Sequence, residues 1–311
     1  MEDIKDKNNF LRIFYTYRPV LLVLPALILF IIFFIIPVLS MFVLAFDKPV
    51  TGVLDLQGEW TLKSFLRIYN RSLYFNAAVT SVSLAALASL ITLIIGYPLA
   101  YLIAKTENVT RNTFLMILVL CAMQLDMVIR LFGLMVLMGD NGLINGALMY
   151  FNIIEKPIGL MYNKLGVLVG LVQFSLPFMV LSLIGIIRGI SPAVVEASRS
   201  LGASPNQAFW KIIIPLSMPG ILAGTLLVFA ISISSYIVPA LMGGWKVMVM
   251  PLHVYQQIAE MGKWQFGSAI AVVLFCTSLL SVIVYQRVAI RIGGGRAWVK
   301  LKLKKLMNWE L

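Results

Sequence analysis

Histidine occurs once in this sequence, at His253, and no neighbouring residues in the chain complete a ligand set around it. That scarcity argues against a histidine-based metal centre and against a Ser-His-Asp catalytic set. No GxxxxGK[ST] loop occurs anywhere, so the chain is not expected to hydrolyse ATP itself. Gly293-Gly294-Gly295-Arg296 is glycine-rich but lacks the Lys-Ser/Thr pair and a preceding strand, and reads as a flexible helix end. Cys121 and Cys276 both fall inside apolar runs and read as small core residues, with no disulfide or metal site implied. Charge is scarce too: 12% of residues, against about 25% in a soluble domain. No enzyme class is suggested by this inventory, and no cofactor.

What fills the chain is apolar. Of 311 residues, 60% are hydrophobic, and the excess belongs in lipid. The pattern predicts an all-α polytopic membrane protein with six transmembrane helices: Val20–Phe46, Asn76–Ala104, Thr113–Met138, Leu165–Ile187, Leu216–Met242 and Phe266–Ile292. Each is near the 20 residues a bilayer needs. Pro25 and Pro37 should kink the first span or mark its ends. The second carries many small residues suited to close helix packing. The expected organisation is an N-terminal tail (1–19), a first span with its polar loop (20–75), a core of five spans (76–292) holding a polar stretch at 190–215, and a basic tail (293–311). Met1–Asn9 is mixed in charge and the first apolar run is too long for a signal h-region, so no cleavable signal is expected.

Net charge is +12, a balance that nucleic-acid binding would also produce. Here the cations sit between spans and in the tails. Sixteen of the 25 Lys and Arg residues fall in the tails, the Lys105–Arg111 turn and the 190–215 stretch, counting with them Arg188, Arg287 and Arg291 at the adjoining span ends; eight fall in the three opposite connections, and Arg130 lies inside the third span. The positive-inside rule therefore puts both termini and the 190–215 stretch in the cytoplasm, with Asp47–Tyr74, Gly139–Lys164 and Gly243–Gln265 outside. The basic C-terminal tail is expected to sit against anionic headgroups, and Trp245 and Trp264 to anchor at the interface. The lipid bilayer is the partner that composition implies; nucleic acid is not.

The stretch Glu196–Pro215 reads EASRSLGASPNQAFWKIIIP. Ser191-Pro192 is expected to open a helix, with Ser as cap and Pro at the first position. Glu196 then falls in its first turn, where negative charge is favoured. Gly202 suits a left-handed C-terminus, and Ser204 with Gln207 suits a capping box for a second helix that Pro215 ends. The residues alone allow an interfacial hairpin that only fixes two spans.

This stretch resembles the EAA loop of ABC importer permease subunits. Glu196, Ala197, Gly202, Ile212 and Pro215 match that loop in register; Ser198 replaces its second Ala, and Ile214 replaces its Leu. GYPLAYLIAK (Gly96–Lys105), IRLFG (Ile129–Gly133), LVQFSLPFMV (Leu171–Val180), LMGG (Leu241–Gly244) and WQFGSAIA (Trp264–Ala271) extend the resemblance to the first permease of spermidine/putrescine importers. The resemblance implies the type I importer permease fold in a bacterial inner membrane, with the loop docking as a coupling helix into a separate ATPase. The implied assembly adds a second permease, two ATPase copies carrying ATP and Mg, and a periplasmic binding protein. The implied cargo is a small cation such as a polyamine; relatives for iron, thiamine or aminoethylphosphonate keep the cargo open. A secondary transporter would need its own coupling-ion site and usually inverted repeats, and no such repeat is seen. A membrane-embedded enzyme would need a catalytic set, and Asp126 and His253 lie on different segments.

Polar residues inside spans mark where a solute would touch the chain. In the third span these are Gln124, Asp126 and Arg130, and a charge near a span centre costs about 2.5–3.5 kcal/mol. Asp126 and Arg130 are four apart, acid first, so an intrahelical ion pair is one reading and a water-filled path with Asp126 meeting a cation is the other. In the fifth span Ser234, Ser235 and Tyr236 cluster before Pro239. Such serines either bond back to their own helix or line a cavity beside broken backbone.

Overall fold

The computed structural model describes residues 23–49 and 58–292, the last four by backbone alone. The expected tails (1–19 and 293–311) and the start of the first span lie outside the described residues. Among those described, every regular element is a helix. Six helical runs are long and apolar enough to cross a membrane. They are α1 (Val23–Ala45), α3 (Ser72–Lys105), the run Met127–Tyr150, α7 (Lys164–Arg188), α9 (Pro205–Ser234) and α12, crossing over Trp264–Val288. The third run is two helices, α5 (Met127–Met138) and α6 (Leu143–Tyr150), preceded by the apolar α4 (Val109–Gln124). Shorter helices complete the chain: α2 (Lys63–Tyr69), α8 (Pro192–Ser200), α10 (Ile237–Gly243) and α11 (Met250–Tyr255). The three connections read from sequence as polar loops therefore contain helix of their own.

The centre is a bundle of α3, α7 and α9. In lipid, helices gain little from apolar burial alone and associate where small residues let backbones approach. The inward face of α3 is built that way, from Ala77, Ala85, Ala88, Gly96 and Ala100. Met179 of α7 fills the gap between two glycines: a Cβ on Gly96 would lie 3.0 Å from its Cγ, and one on Gly224 of α9 would lie 2.7 Å from its Sδ. A thioether, unbranched and adaptable, suits such a wedge. At the other end of α7, Leu131 of α5 and Val238 of α10 meet across Gly170, where a Cβ would lie 2.7 Å from Val238 Cγ1 and 3.4 Å from Leu131 Cδ2. α11 is tied to α3 through Ser81, whose hydroxyl accepts the Met250 N–H at 2.9 Å and donates to Ala77 O at 2.8 Å. α1 packs on α12 by its C-terminal end, where Ala45 is buried, Met41 half-buried and Phe42 meets Phe275 edge to face at 5.8 Å; most apolar side chains before that are exposed, as on a lipid-facing helix.

Three sequence expectations are corrected. The third span is not one helix: it breaks at Leu125–Asp126, and both residues are extended there. The fifth span breaks too, at Ser235–Tyr236, so Pro239 sits in the first turn of α10 and starts a helix instead of ending one. Pro215 does not terminate the hairpin's second helix, which runs unbroken into α9. The turn Phe209–Ile213 widens to i→i+5 bonding, with Ile214 N–H on Phe209 O. That widening relieves the carbonyl clash and missing donor that a proline brings to a helix interior. The same device, over Ile31–Ile35, precedes Pro37 in α1. Cys121 and Cys276 are also exposed and not core residues, because they point away from the central bundle.

Candidate functional site: two broken helices and a hairpin

The hairpin is built by local chemistry. Pro192 occupies the first helical position of α8, and Ser191 stands at the cap, but its side chain makes no capping bond. The turn is closed at the far end instead. Gly202 has φ +88°, its N–H bonds Arg199 O at 2.9 Å, and Ala203 N–H bonds Ser198 O at 3.1 Å. This pair of bonds is the Schellman arrangement, and it needs a residue that tolerates positive φ. Ser204 Oγ then accepts Gln207 N–H at 3.2 Å, while Gln207 Oε1 accepts Ser204 N–H at 3.0 Å, completing the capping box. Glu196 is exposed but lies in the second turn of α8, so the first-turn dipole argument for it does not hold. Ala197 O caps the helix by accepting Leu201 N–H. Ser198 Oγ bonds back to Val195 O, Ile212 is half-buried in the wide turn, and Pro215 is exposed.

α8 buries none of its residues. Leu201 is 89% exposed, Trp210 65% and Val194 46%, an apolar set on a polar hairpin that nothing among the described residues covers. The hairpin is nevertheless fixed to the bundle. Phe209 stacks edge-on against Tyr97 at 5.9 Å and Tyr101 at 5.4 Å of α3. Tyr97 O–H pairs with Ser217 Oγ at 2.9 Å. Lys105 Nζ reaches Ile190 O at 3.4 Å, and Asn112 ties Arg188 of α7 to Ile103 O of α3. These contacts join the hairpin directly to α3, α7 and α9.

The two breaks form the second part of the site. Gln124 ends α4 and is exposed. Asp126 caps α5, its Oδ1 accepting Val128 N–H at 2.8 Å and Ile129 N–H at 3.3 Å. A capping residue lies outside the helix, so the expected intrahelical ion pair with Arg130 does not form. Arg130 instead lays its guanidinium over the Phe174 ring at 5.1 Å, and its Nε and Nη1 are buried without a partner. Across α7, Gln173 Oε1 is likewise buried and unpartnered. At the other break, Ser234 Oγ bonds back to Ala230 O at 2.9 Å, Ser235 Oγ is buried without a partner, and Tyr236 stacks on Tyr255 at 5.1 Å. Phe174 and Tyr255 were not picked out from sequence; only the folded chain brings them to the breaks. Both α4 and α9 end here by their C-termini, where free carbonyls carry partial negative charge. Such an end favours a cation, and exposed polar side chains at membrane depth favour water over lipid.

A bundle of membrane-length apolar helices, with a helix break at the end of two of its runs and an exposed hairpin, is the architecture of a membrane permease subunit. Residues 96–293 match the family model described as binding-protein-dependent transport system inner membrane component. The chain belongs to that family: it is a multi-pass inner-membrane permease component of an ABC importer. It is 36% identical over 228 residues to the spermidine/putrescine transport system permease protein PotB of Escherichia coli (strain K12), covering 73% of this chain and 82% of that protein. It is 34% identical over 227 residues to PotB of Haemophilus influenzae, covering 73% and 79%. Among solved structures it resembles a bacterial ABC transporter involved in the import of the acidic polysaccharide alginate. The TM-score is 0.76 at 15% identity, covering 91% of this chain and 99% of that one, a likeness of fold.

Proposed function

We propose that this chain forms half of a translocation path for a small organic cation, a polyamine such as putrescine or spermidine, in an ATP-driven importer. The observation that carries the cargo reading is the 36% identity to PotB over most of both chains. The chemistry of the breaks supports it: two helix C-termini, the exposed carboxylate of Asp126, and the exposed Ser234 and Tyr236 suit ammonium groups passing in water. The hairpin from 190 to 215 docks by Val194, Leu201 and Trp210 into an ATPase subunit, present in two copies and holding ATP and Mg. A second permease completes the path, and a periplasmic protein delivers the cargo. Both termini and the hairpin face the cytoplasm.

A second reading rests on Arg130. Two buried N–H groups without partners at a membrane break suit an anionic group on the cargo, as in aminoethylphosphonate. Uptake of labelled putrescine, spermidine and aminoethylphosphonate by liposomes holding the full assembly decides between them. ATP-dependent accumulation of the polyamines is expected; accumulation of the phosphonate alone would replace the first reading with the second. For orientation, a cysteine at Asn206 should react with an impermeant thiol reagent only in inverted vesicles.

A further inference from the structure

The hairpin end of the molecule carries a cleft that neither the path nor the ATPase contact uses. Its volume is about 570 Å³, and it lies between the end of α3, the start of α4 and the wide turn of α9. Its floor is apolar and aromatic: Pro98, Leu102, Tyr101 and Phe209. Its rim is charged in a fixed order, with Lys105, Glu107 and Arg111 around the turn that joins α3 to α4. α3 is long and apolar enough to cross a membrane and α4 is a shorter apolar helix, so the polar turn that joins them at the end of α3 belongs near the membrane surface. A cleft there with an apolar floor and a charged rim matches an amphipathic ligand, not a soluble one.

We infer that this cleft binds a phospholipid headgroup, with Lys105 and Arg111 on the phosphate and Glu107 selecting a primary amine on the headgroup. Two cations attract the phosphate, and near an anionic surface each contributes measurably. The carboxylate of Glu107 would repel a purely anionic headgroup. It favours a zwitterionic one whose ammonium donates hydrogen bonds, as in phosphatidylethanolamine. A quaternary choline has no N–H to donate and should be held less well. Arg111 is free for this role, since its backbone N–H caps on Asn108 while its guanidinium lies at the exposed rim. Glu107 is likewise exposed. Because Phe209 forms part of the floor and also seats the hairpin on Tyr97 and Tyr101, an occupied cleft would brace the hairpin against α3.

The test uses the assembled transporter in nanodiscs of phosphatidylcholine doped with equal small fractions of phosphatidylethanolamine or phosphatidylglycerol. Retained lipid is read by native mass spectrometry. Phosphatidylethanolamine should be retained over both other lipids. Arg111→Gln should lower its retention roughly fivefold. Glu107→Gln should erase the preference for the amine while leaving total retention unchanged. Millimolar inorganic phosphate should not displace the lipid. Equal retention of all three lipids, a preference for phosphatidylglycerol, or retention unaffected by Arg111→Gln would overturn the inference. Displacement by inorganic phosphate would overturn it in favour of a free-phosphate site. No retention in the assembled transporter, with retention restored once the ATPase is stripped away, would overturn it by assigning the cleft to that subunit.

Discussion

Asp126 does two jobs that substitution can separate. Its carboxylate caps α5 through Val128 and Ile129, and it places a negative charge at the break. Asparagine caps a helix about as well as aspartate, so Asp126→Asn keeps the break and removes the charge. Alanine removes both, at a cost of about 1 kcal/mol for the lost cap. In a membrane chain of this size that is a fall in Tm of about 2–4 °C. Because no ion pair joins Asp126 to Arg130, Asp126→Asn strands no cation, and adding Arg130→Gln should bring no rescue of stability. The charge itself should matter for cargo: a carboxylate near an ammonium in a partly screened site contributes roughly 1–2 kcal/mol, or tenfold or more in apparent affinity. The expectation is a stable Asp126→Asn complex with sharply raised KM for polyamine uptake, and an Asp126→Ala complex that is also less stable by thermal melt. Normal uptake by Asp126→Asn would remove this residue from the path. An Asp126→Ala complex as stable as the asparagine variant would refute the capping role.

Other perturbations follow from single contacts. Gly202→Val puts a β-branched residue at φ +88°, a cost of about 1–2 kcal/mol that should displace the second helix of the hairpin. Cargo-stimulated ATP hydrolysis should fall while the spans stay inserted, and unchanged stimulation would show that this turn does not transmit. Gly170→Ala drives a methyl into Val238 Cγ1 and should destabilise by about 1–3 kcal/mol, with Val238→Ala restoring much of the loss in thermal melts. His253 lies outside the membrane runs and is 3% exposed; burial holds its imidazole below the usual 6.5, partly offset by a hydrogen bond with Gln256. The unfolded chain gains its proton as pH drops below that value while the folded chain does not. Stability should therefore be full above about pH 6.5 and fall below it by up to about 1.4 kcal/mol per unit, and His253→Gln should flatten this part of the profile.

The spans and the hairpin were legible because each has a local signal. Hydropathy gives length, and the Ser204, Gln207 and Gly202 positions give caps and turn without tertiary help. The break in the third span was not read. Asp126 in an apolar run looked like a helix interior residue facing Arg130, although aspartate is also a preferred cap. Broken backbone beside Pro239 was one of two readings of the Ser234–Tyr236 cluster, and the helix does break there, with Pro239 in the first turn of α10. Periodicity cannot separate these, because the residues on both sides of each break are apolar and helical. Pro215 misled for the opposite reason: a widened turn let the helix pass through it. Glu196 was placed one turn too early although Pro192 does open α8, because it stands four residues beyond that proline and so past the first turn. Phe174 and Tyr255 reach the breaks only through the packing of α5, α10 and α11 around α7 and α3.

The claim that the broken helices line the path is tested most directly at Ser235. In a background with Cys121→Ala and Cys276→Ala, a single cysteine at Ser235 is reacted with an impermeant thiol reagent, from outside and from inside, in the assembled transporter. The account predicts that the accessible side switches when ATP is trapped on the ATPase, and that excess polyamine slows the reaction. A cysteine that reacts from one side only, or not at all, in every nucleotide state would place Ser235 outside the path and contradict the account.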